Sequence, residues 1–146
     1  MTRVDFYLLD GGSAGGQDTA VPKDMAVCRL ANKAFLLGHR VYIHAADADE
    51  AQRLDNLLWT FSAGSFIPHA IIYDADENMP VIIGQDAPPE AFDDVLISLA
   101  PQVPECFSRF QRVAEVVGPG DEDKRLARER FRFYRDRGYT LQTHSL

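Results

Sequence analysis

The sequence has no long apolar run. Every apolar stretch is far shorter than the roughly 20 residues that a membrane-spanning helix requires. The N-terminal residues also lack the basic stretch followed by an apolar one that marks a secretory signal peptide. We therefore expect a cytoplasmic protein that has no membrane partner.

Cysteine is scarce as well. Cys28 and Cys106 are the only two, and no C-x-x-C pair is present, which argues against zinc sites and redox motifs. No G-x-S-x-G motif occurs, and nothing in the sequence pairs either cysteine with a particular histidine. The sequence thus predicts two buried thiols and no catalytic nucleophile.

Histidine is too sparse for a specific metal site. No two histidines stand four residues apart, the spacing that places two ligands on one helix face. Two groups of residues could be imagined as metal ligands, but we expect ordinary histidines and solvated carboxylates. The groups are His44 with Asp47 and Asp49, and His69 with Asp74 and Asp76.

Net positive charge is missing. The 22 Asp and Glu outnumber the 15 Lys and Arg and give a net charge of −7, whereas contacts with nucleic-acid phosphates need a basic face. The charge is unevenly spread, because residues 124–137 hold seven of the basic residues and only two acidic ones. That segment is therefore +5 and the remainder −12, so the sequence predicts a basic island on an acidic body.

The length and the apolar pattern indicate one α/β domain. A chain of 146 residues, 46% of them hydrophobic, can bury roughly two thirds of its unfolded surface in one core. We therefore expect a single domain over residues 1–146. Short apolar runs alternate with helical patterns, which predicts a sheet with crossover helices. The predicted strands are residues 4–9, 40–45, 70–73, 81–84, 94–99, 113–117 and, at one edge, 139–144. The predicted helices begin near residue 21 and at residue 47, and two more cover residues 104–110 and 121–138.

Particular residues mark the ends of the first two helices. Pro22 is expected at the first position of the first helix and Gly38 just past its end, the favoured placements of both residues. Asp47 and Glu50 stand three apart ahead of an apolar periodic segment, a variant of the capping box that opens the second helix. The residues of the first helix expected to face the core are Val27, Leu30, Ala31, Ala34 and Leu37.

A glycine-rich turn follows the first strand and invites comparison with nucleotide-binding loops. Residues 11 to 16 read G-x-S-x-x-G, with Ser13 where a dinucleotide fingerprint needs bare backbone. No lysine follows Gly16, so the phosphate-loop motif fails too. We expect a structural connection here. The alternative is a small nucleotide-binding, Rossmann-like enzyme that uses the Gly11 to Gly16 loop, with Asp47 at the ribose.

The single tryptophan marks one candidate interaction surface. Trp59 is rotated about 100° from Leu58, away from the helix stripe expected to face the core, so we expect it to be partly exposed. An apolar loop, Phe66-Ile67-Pro68, follows seven residues on. Exposed aromatic residues of this kind are typical anchors of protein interfaces. The alternative is that both rings close the end of the core.

The last helix carries a second candidate surface. Its spacing places two sets of residues on two different faces, and only one of these faces need belong to the core. A basic stripe with an embedded aromatic ring suits an acidic peptide that carries an apolar anchor. The alternatives are a solvated helix with Arg–Glu pairs and a nucleic-acid groove, which the acidic body disfavours. The first set is Lys124, Ala127, Arg128, Phe131 and Arg135, and the second is Leu126, Arg130, Phe133 and Tyr134.

Four segments, in their order and spacing, resemble the chi subunit of bacterial DNA polymerase III. They are VDFYLLD, RLDNLLWTFSAGSFIPH, DDVLISL and LARERFRFYRDRGYTL. The resemblance implies a Rossmann-like, three-layer α/β sandwich with a mostly parallel central sheet and no cofactor. It also implies a protein that is no enzyme by itself, but serves DNA replication as an accessory subunit of the polymerase holoenzyme, in the clamp-loader complex.

The resemblance further implies two partners. Chi subunits pair with the small psi subunit, which links them to the clamp loader, and they bind the acidic C-terminal tail of the single-stranded DNA-binding protein. That tail ends in a phenylalanine after several aspartates. Because chi binds the tail and not the nucleic acid, it reaches DNA only indirectly. Where psi is absent, a repair helicase could take its place. The residues implied to face psi or a helicase are Trp59, Phe66, Ile67 and Pro68. The residues implied to bind the tail are Lys124, Arg128, Phe131 and Arg135.

Two positions depart from the family pattern. Position 131 is phenylalanine where tyrosine is common, so the apolar wall remains but a hydroxyl group is missing. The loop at residues 118–120 is shorter than in familiar members, which puts in question an apolar residue that helps to line the tail pocket.

Overall fold

A seven-stranded, entirely parallel sheet forms the centre of the computed structural model within the residues that it describes, which are 2–9, 20–61, 67–72 and 78–145. The strands are β1 (Arg3–Leu8), β2 (Val41–His44), β3 (His69–Ile71), β4 (Val81–Gly84), β5 (Val95–Ser98), β6 (Arg112–Val117) and β7 (Thr140–Ser145). The helices are α1 (Ala20–Leu36), α2 (Ala48–Leu58) and α3 (Asp121–Asp136), and Phe107–Arg109 form a 3₁₀ turn. In this part of the chain no helix is both long and apolar enough to cross a lipid bilayer.

The strand order explains the layers. The order across the sheet is β3-β4-β2-β5-β6-β1-β7, and each neighbouring pair is parallel. From β1 the chain moves through α1 and α2 toward one edge, whereas from β6 it moves through α3 toward the other. Parallel crossovers are right-handed, so this reversal places α3 on the opposite face from α1 and α2. The predicted Rossmann-like, three-layer sandwich is confirmed, and its sheet is wholly parallel.

Each face of the sheet has its own core. Alternate residues of a strand point to opposite faces, so Val41 and Ile43 pack with α1 and α2 while Tyr42 packs on the other side. The second core lies between the sheet and α3 and is rich in aromatic rings, among them Phe6 and Tyr134. The central strands β2, β4 and β5 are therefore covered on both sides, which accounts for their near-continuous apolar sequences.

Most predicted elements are confirmed. All seven predicted strands are present, with ends that differ from the prediction by at most two residues. The capping box is present as well, because the Glu50 amide donates to Asp47 Oδ1 at 2.8 Å. Glu50 Oε1 in turn accepts from the Ala46 amide at 2.8 Å, one residue before the expected position. Cys28 is buried as predicted and Cys106 is half-buried, and burial raises the pKa of the Cys28 thiol to about 12.

Three local predictions were wrong. Residues 104–110 form only the short 3₁₀ turn, because Phe107 and Phe110 are both drawn into the core on the α3 side. Helix α1 begins at Ala20, which places Pro22 in its first turn, where backbone amides need no helical partner. The helix ends at Leu36 and is followed by Gly38 at φ +87°. Leu37 therefore lies beyond the helix and is exposed instead of buried.

Candidate functional site

A buried polar network fixes α3 to the sheet. Glu115 on β6 is fully buried and accepts two hydrogen bonds, from Arg130 Nε at 3.0 Å and from the Tyr134 hydroxyl at 2.7 Å. Arg130 also donates to the carbonyl oxygen of Pro101 at 2.9 Å. Burial raises the pKa of Glu115, while the charge of Arg130 and the hydrogen bond from Tyr134 oppose that rise. Two helix positions are thereby fixed to one strand, which orients the outer face of α3.

Sequence reasoning missed this network. It placed Arg130 and Tyr134 on a second face of the last helix without assigning them a partner. The available signal was Glu115, the one charged residue among the five that follow Arg112 in the strand Arg112–Val117. A buried carboxylate needs a cation or hydrogen-bond donors, and an arginine on a facing helix is a natural partner.

The outer side of α3 borders a pocket of about 240 Å³. Lys124 and Arg128 lie on its rim and Phe131 forms part of its wall, with its ring centroid 5.5 Å from that of Phe6. The pocket lies where β1, β6 and β7 end, at the carboxyl edge of the sheet, which is the usual place for ligands in open α/β folds. Its lining is Phe6, Leu8, Leu9, Gly118, Lys124, Ala127, Arg128, Phe131 and Thr143. We call this the α3 pocket.

The two rim cations differ from Arg125 on the same helix. Lys124 and Arg128 are exposed, and neither forms an ion pair with any residue in the described part of the chain. Arg125, by contrast, pairs with both Glu122 and Glu129. The positive charge at the α3 pocket is therefore available to an anionic ligand.

Arg135 does not join this group. It pairs with Asp136, Nη2 to Oδ1 at 3.2 Å, and it is not among the residues that line the α3 pocket. The structure thus brings together Lys124, Arg128 and Phe131 but leaves the fourth predicted residue outside.

The short loop at residues 118–120 takes part in the pocket through its backbone. Gly118 is buried, and a Cβ atom at this position would overlap the Asp123 carboxylate. Leu8 and Leu9 provide apolar lining at the same pocket. The α3 pocket therefore has an apolar wall without an apolar side chain from this loop.

Trp59 directly follows α2 and is 51% exposed, as predicted. Its ring centroid lies 4.3 Å from that of His69, the first residue of the edge strand β3. The buried His69 ring has Nδ1 2.6 Å from the Ile67 carbonyl oxygen and Nε2 2.9 Å from the Asp55 carbonyl oxygen. His69 therefore ties the turn before β3 to the last part of α2 and supports Trp59 from beneath.

The remaining residues of the predicted Trp59 surface are placed differently. Pro68 is half-buried beside Ile67. Ile67 itself is fully buried in the core on the α2 side, so it supports the turn and does not belong to the exposed surface. Phe66 lies outside the described residues.

Neither a metal site nor a nucleotide site takes shape in the described ranges. In these ranges no group of three His, Cys, Asp or Glu side chains is placed to hold a metal ion. The Asp47 carboxylate is engaged in capping α2, so its position is explained without a ribose. The Gly11 to Gly16 loop, Asp74 and Asp76 lie outside the described residues.

Comparisons with known proteins agree with the segments that suggested the chi subunit. Residues 1–142 match the family described as "DNA polymerase III chi subunit, HolC". The chain is 40% identical over 146 residues to the DNA polymerase III subunit chi of Pseudomonas aeruginosa, covering 100% of this chain and 98% of that protein. It is 34% identical over 145 residues to the subunit of the same name from Escherichia coli, covering 98% and 97%. For the Haemophilus influenzae subunit the identity is 27% over 147 residues, covering 98% and 96%. The chain therefore belongs to the family of DNA polymerase III chi subunits.

Proposed function

We propose that this chain is a non-catalytic adaptor of the DNA polymerase III holoenzyme with two separate binding surfaces. The α3 pocket binds the acidic C-terminal tail of the single-stranded DNA-binding protein. The surface around Trp59, Phe66 and Pro68 binds the psi subunit, or a repair helicase where psi is absent. The observation that carries the proposal is an apolar pocket bordered by two cations, Lys124 and Arg128, that no described acidic residue neutralises.

The chemistry of the α3 pocket matches such a tail. Phe6, Leu8 and Phe131 offer apolar walls for a terminal aromatic side chain, while Lys124 and Arg128 attract carboxylates. Because both cations are exposed, salt screens them over about 8 to 10 Å at ordinary ionic strength. We therefore expect modest affinity that weakens as salt concentration rises.

Calorimetric titration with an acidic peptide ending in Pro-Phe tests the α3 pocket. Replacing Arg128 by alanine should cost roughly 1 to 3 kcal/mol of binding free energy, the usual size for a charge-assisted hydrogen bond. That loss corresponds to a dissociation constant about five to 150 times larger. Arg125→Ala is the matched control, since it removes the same charge from the same helix but from a side chain paired with Glu122 and Glu129.

The comparison of the two variants decides the assignment. Arg125→Ala should bind the peptide almost as wild type does, while Arg128→Ala should bind it weakly. Equal affinity of wild type and Arg128→Ala would remove the tail from the α3 pocket. Equal losses in both variants would indicate general charge attraction without a site.

The Trp59 surface is tested by copurification with psi. Trp59→Ala and Phe66→Ala should each abolish copurification while lowering the melting temperature little, because Trp59 is half exposed. Leu36→Ala is a matched control, since Leu36 is another large apolar side chain, 72% exposed, on a different helix. Unchanged copurification of both variants would contradict the assignment. A large fall in melting temperature would instead indicate that these side chains serve the core.

A further inference from the structure

One part of the sheet lacks a covering helix among the described residues. On the face that carries α1 and α2, α1 packs over β2, β5 and β6, whereas β1 and β7 carry polar side chains toward that side. Parallel sheets are ordinarily covered on both faces. The side chains of this region are Arg3, Asp5 and Tyr7 from β1, Arg112 from β6, and Gln142 and His144 from β7.

These side chains form a cluster around one buried carboxylate. Asp5 is 1% exposed, with Arg3 Nη2 at 3.5 Å, Arg112 Nε at 3.3 Å and His144 Nε2 at 3.0 Å from its oxygens. Burial raises the pKa of Asp5, but the hydrogen bond from His144 and the charges of Arg3 and Arg112 outweigh burial, so the net shift is downward. The ring of Tyr7 stacks on that of His144 at 4.8 Å.

The cluster carries excess positive charge. One carboxylate faces two guanidinium groups, and the Arg3 and Arg112 side chains remain 44% and 46% exposed. The chain outside residues 124–137 carries a net charge of −12. A local excess of arginine in such a body attracts a negatively charged partner.

An apolar groove continues from this cluster along α1. Tyr7 and Arg112 line it on the sheet side, and Leu30, Ala34 and Leu37 line it on the other side. Lys33 also lines it, so with Arg112 two cations border an apolar floor. His39 lies at the same border, with its Nδ1 3.9 Å from Asp94 Oδ2. Leu37 of this groove and its chain neighbour Leu36, at 64% and 72% exposed, are the most exposed large apolar side chains in the described ranges. We call the groove lined by Tyr7, Leu30, Lys33, Ala34, Leu37 and Arg112 the α1 groove.

We propose that the α1 groove and the adjoining arginine cluster bind an acidic amphipathic helix of a partner protein. Its apolar stripe packs on Leu30, Leu37 and Tyr7, and its acidic side chains meet Lys33 and Arg112. Amphipathic helices commonly lie in apolar grooves in this way. The partner helix occupies the place over β1 that a covering helix takes in other parallel sheets. Exposed leucines favour this protein partner over nucleic acid, whose phosphates would contact only the cations.

The α1 groove is separate from both surfaces already described. The α3 pocket lies on the opposite face, since Phe6 of β1 points toward α3 and Tyr7 points toward α1. Trp59 packs against His69 of β3, the strand at the far edge of the sheet. Substitutions in one surface therefore report on that surface alone.

Fluorescence anisotropy with a synthetic probe tests the proposal. The probe is a labelled peptide of about five helical turns, with leucines three and four residues apart and glutamates elsewhere. The combined variant Lys33→Glu and Leu37→Ser should raise its dissociation constant about tenfold or more. Both positions are exposed, so the unfolding temperature should stay unchanged and a lost fold cannot explain lost binding. Arg128→Ala is the control, and its affinity for the probe should stay within about twofold of wild type.

Four results would overturn the proposal. The first is no saturable binding of the probe at millimolar concentration. The second is equal affinity in wild type and the combined variant. The third is loss of binding in Arg128→Ala, which would move the probe to the α3 pocket. The fourth is preferential binding of single-stranded oligonucleotide, abolished by the same Lys33 and Leu37 substitutions, which would make the surface a nucleic-acid site.

Discussion

Replacing Arg130 by methionine should strongly destabilise the fold, although Arg130 is a charged residue on the last helix. Its side chain is 7% exposed, and its guanidinium pairs with Glu115, which is fully buried. Methionine retains much of the side-chain volume but donates no hydrogen bond. Of the two side-chain donors to the Glu115 carboxylate, Arg130 and Tyr134, only the Tyr134 hydroxyl then remains. The carbonyl oxygen of Pro101 also loses its arginine donor.

The magnitude follows from the burial of the pair. Removing one partner of a buried ion pair typically costs 3–5 kcal/mol, because the other charge is left without compensation. For a domain of this size each kcal/mol lowers the melting temperature by roughly 2–4 °C, so a fall of about 10 °C is expected. That loss is a large share of the 5–15 kcal/mol by which a typical protein is stable.

The effect should depend on pH in a defined direction. Burial holds the pKa of Glu115 above its ordinary value even with Arg130 present, and removing Arg130 raises that pKa further. Since a raised pKa means that the folded state takes up a proton more readily than the unfolded one, stability increases as pH falls through the folded-state value. Arg130→Met should therefore be less destabilised at mildly acidic pH than at pH 8.

Urea denaturation of four proteins provides the test. They are wild type, Arg130→Met, Glu115→Gln and the double variant, all measured at pH 8. The double variant should be more stable than Arg130→Met alone, because it no longer buries an uncompensated carboxylate. A loss below about 1 kcal/mol in Arg130→Met, or additive losses in the double variant, would refute the reasoning.

Three further outcomes concern single residues elsewhere in the fold. Asp47→Ala should lower the free energy of unfolding by about 1 kcal/mol in urea, whereas Asp47→Asn keeps the capping oxygen and should be nearly neutral; equal losses would contradict the cap. In native protein a thiol reagent should leave Cys28 unmodified, because it is buried and its pKa is raised to about 12, while half-buried Cys106 reacts slowly; rapid native labelling of Cys28 would be inconsistent with its burial. Asp5→Asn should destabilise the protein more at pH 7 than near pH 3, because the pKa of Asp5 is lowered in the folded state and its stabilising charge, fully present above the unfolded value of about 3.9, is lost as pH falls toward and through the folded value. The same loss at both pH values would argue against the cluster.

The sequence predicted the parts of the site that depend on local periodicity. Lys124, Arg128 and Phe131 share one helix face by spacing alone, and the structure places them at one pocket. The opposite wall, with Phe6 and Thr143, comes from strands more than a hundred residues apart in the chain. Helical spacing carries no information on which strand lies beneath, so this wall could not be predicted from the last helix.

Arg135 shows the limit of the same reasoning. It shares the helix stripe of Lys124 and Arg128, but a residue eleven positions from Lys124 lies about 16 Å farther along the helix axis. The α3 pocket borders α3 only from Lys124 to Phe131, and Arg135 pairs with Asp136 instead. Periodicity gives the direction of a side chain, whereas the length of a pocket is set by the strands that end beneath it.

The alternation of strand β1 makes the proposed surfaces independent. Phe6 and Leu8 line the α3 pocket on one face, while Tyr7 lines the α1 groove on the other. The two sets of cations thus lie on opposite faces of the sheet. Both sets are exposed to solvent, where salt screens charges over about 8 Å at physiological ionic strength, so an acidic ligand in one site weakens the field at the other only slightly. Coupling between sites would require a movement of β1, which is hydrogen-bonded to neighbours on both sides. The two acidic ligands should therefore bind together with nearly additive free energies, and titration of the groove probe in the presence of saturating tail peptide should give the same dissociation constant as titration without it.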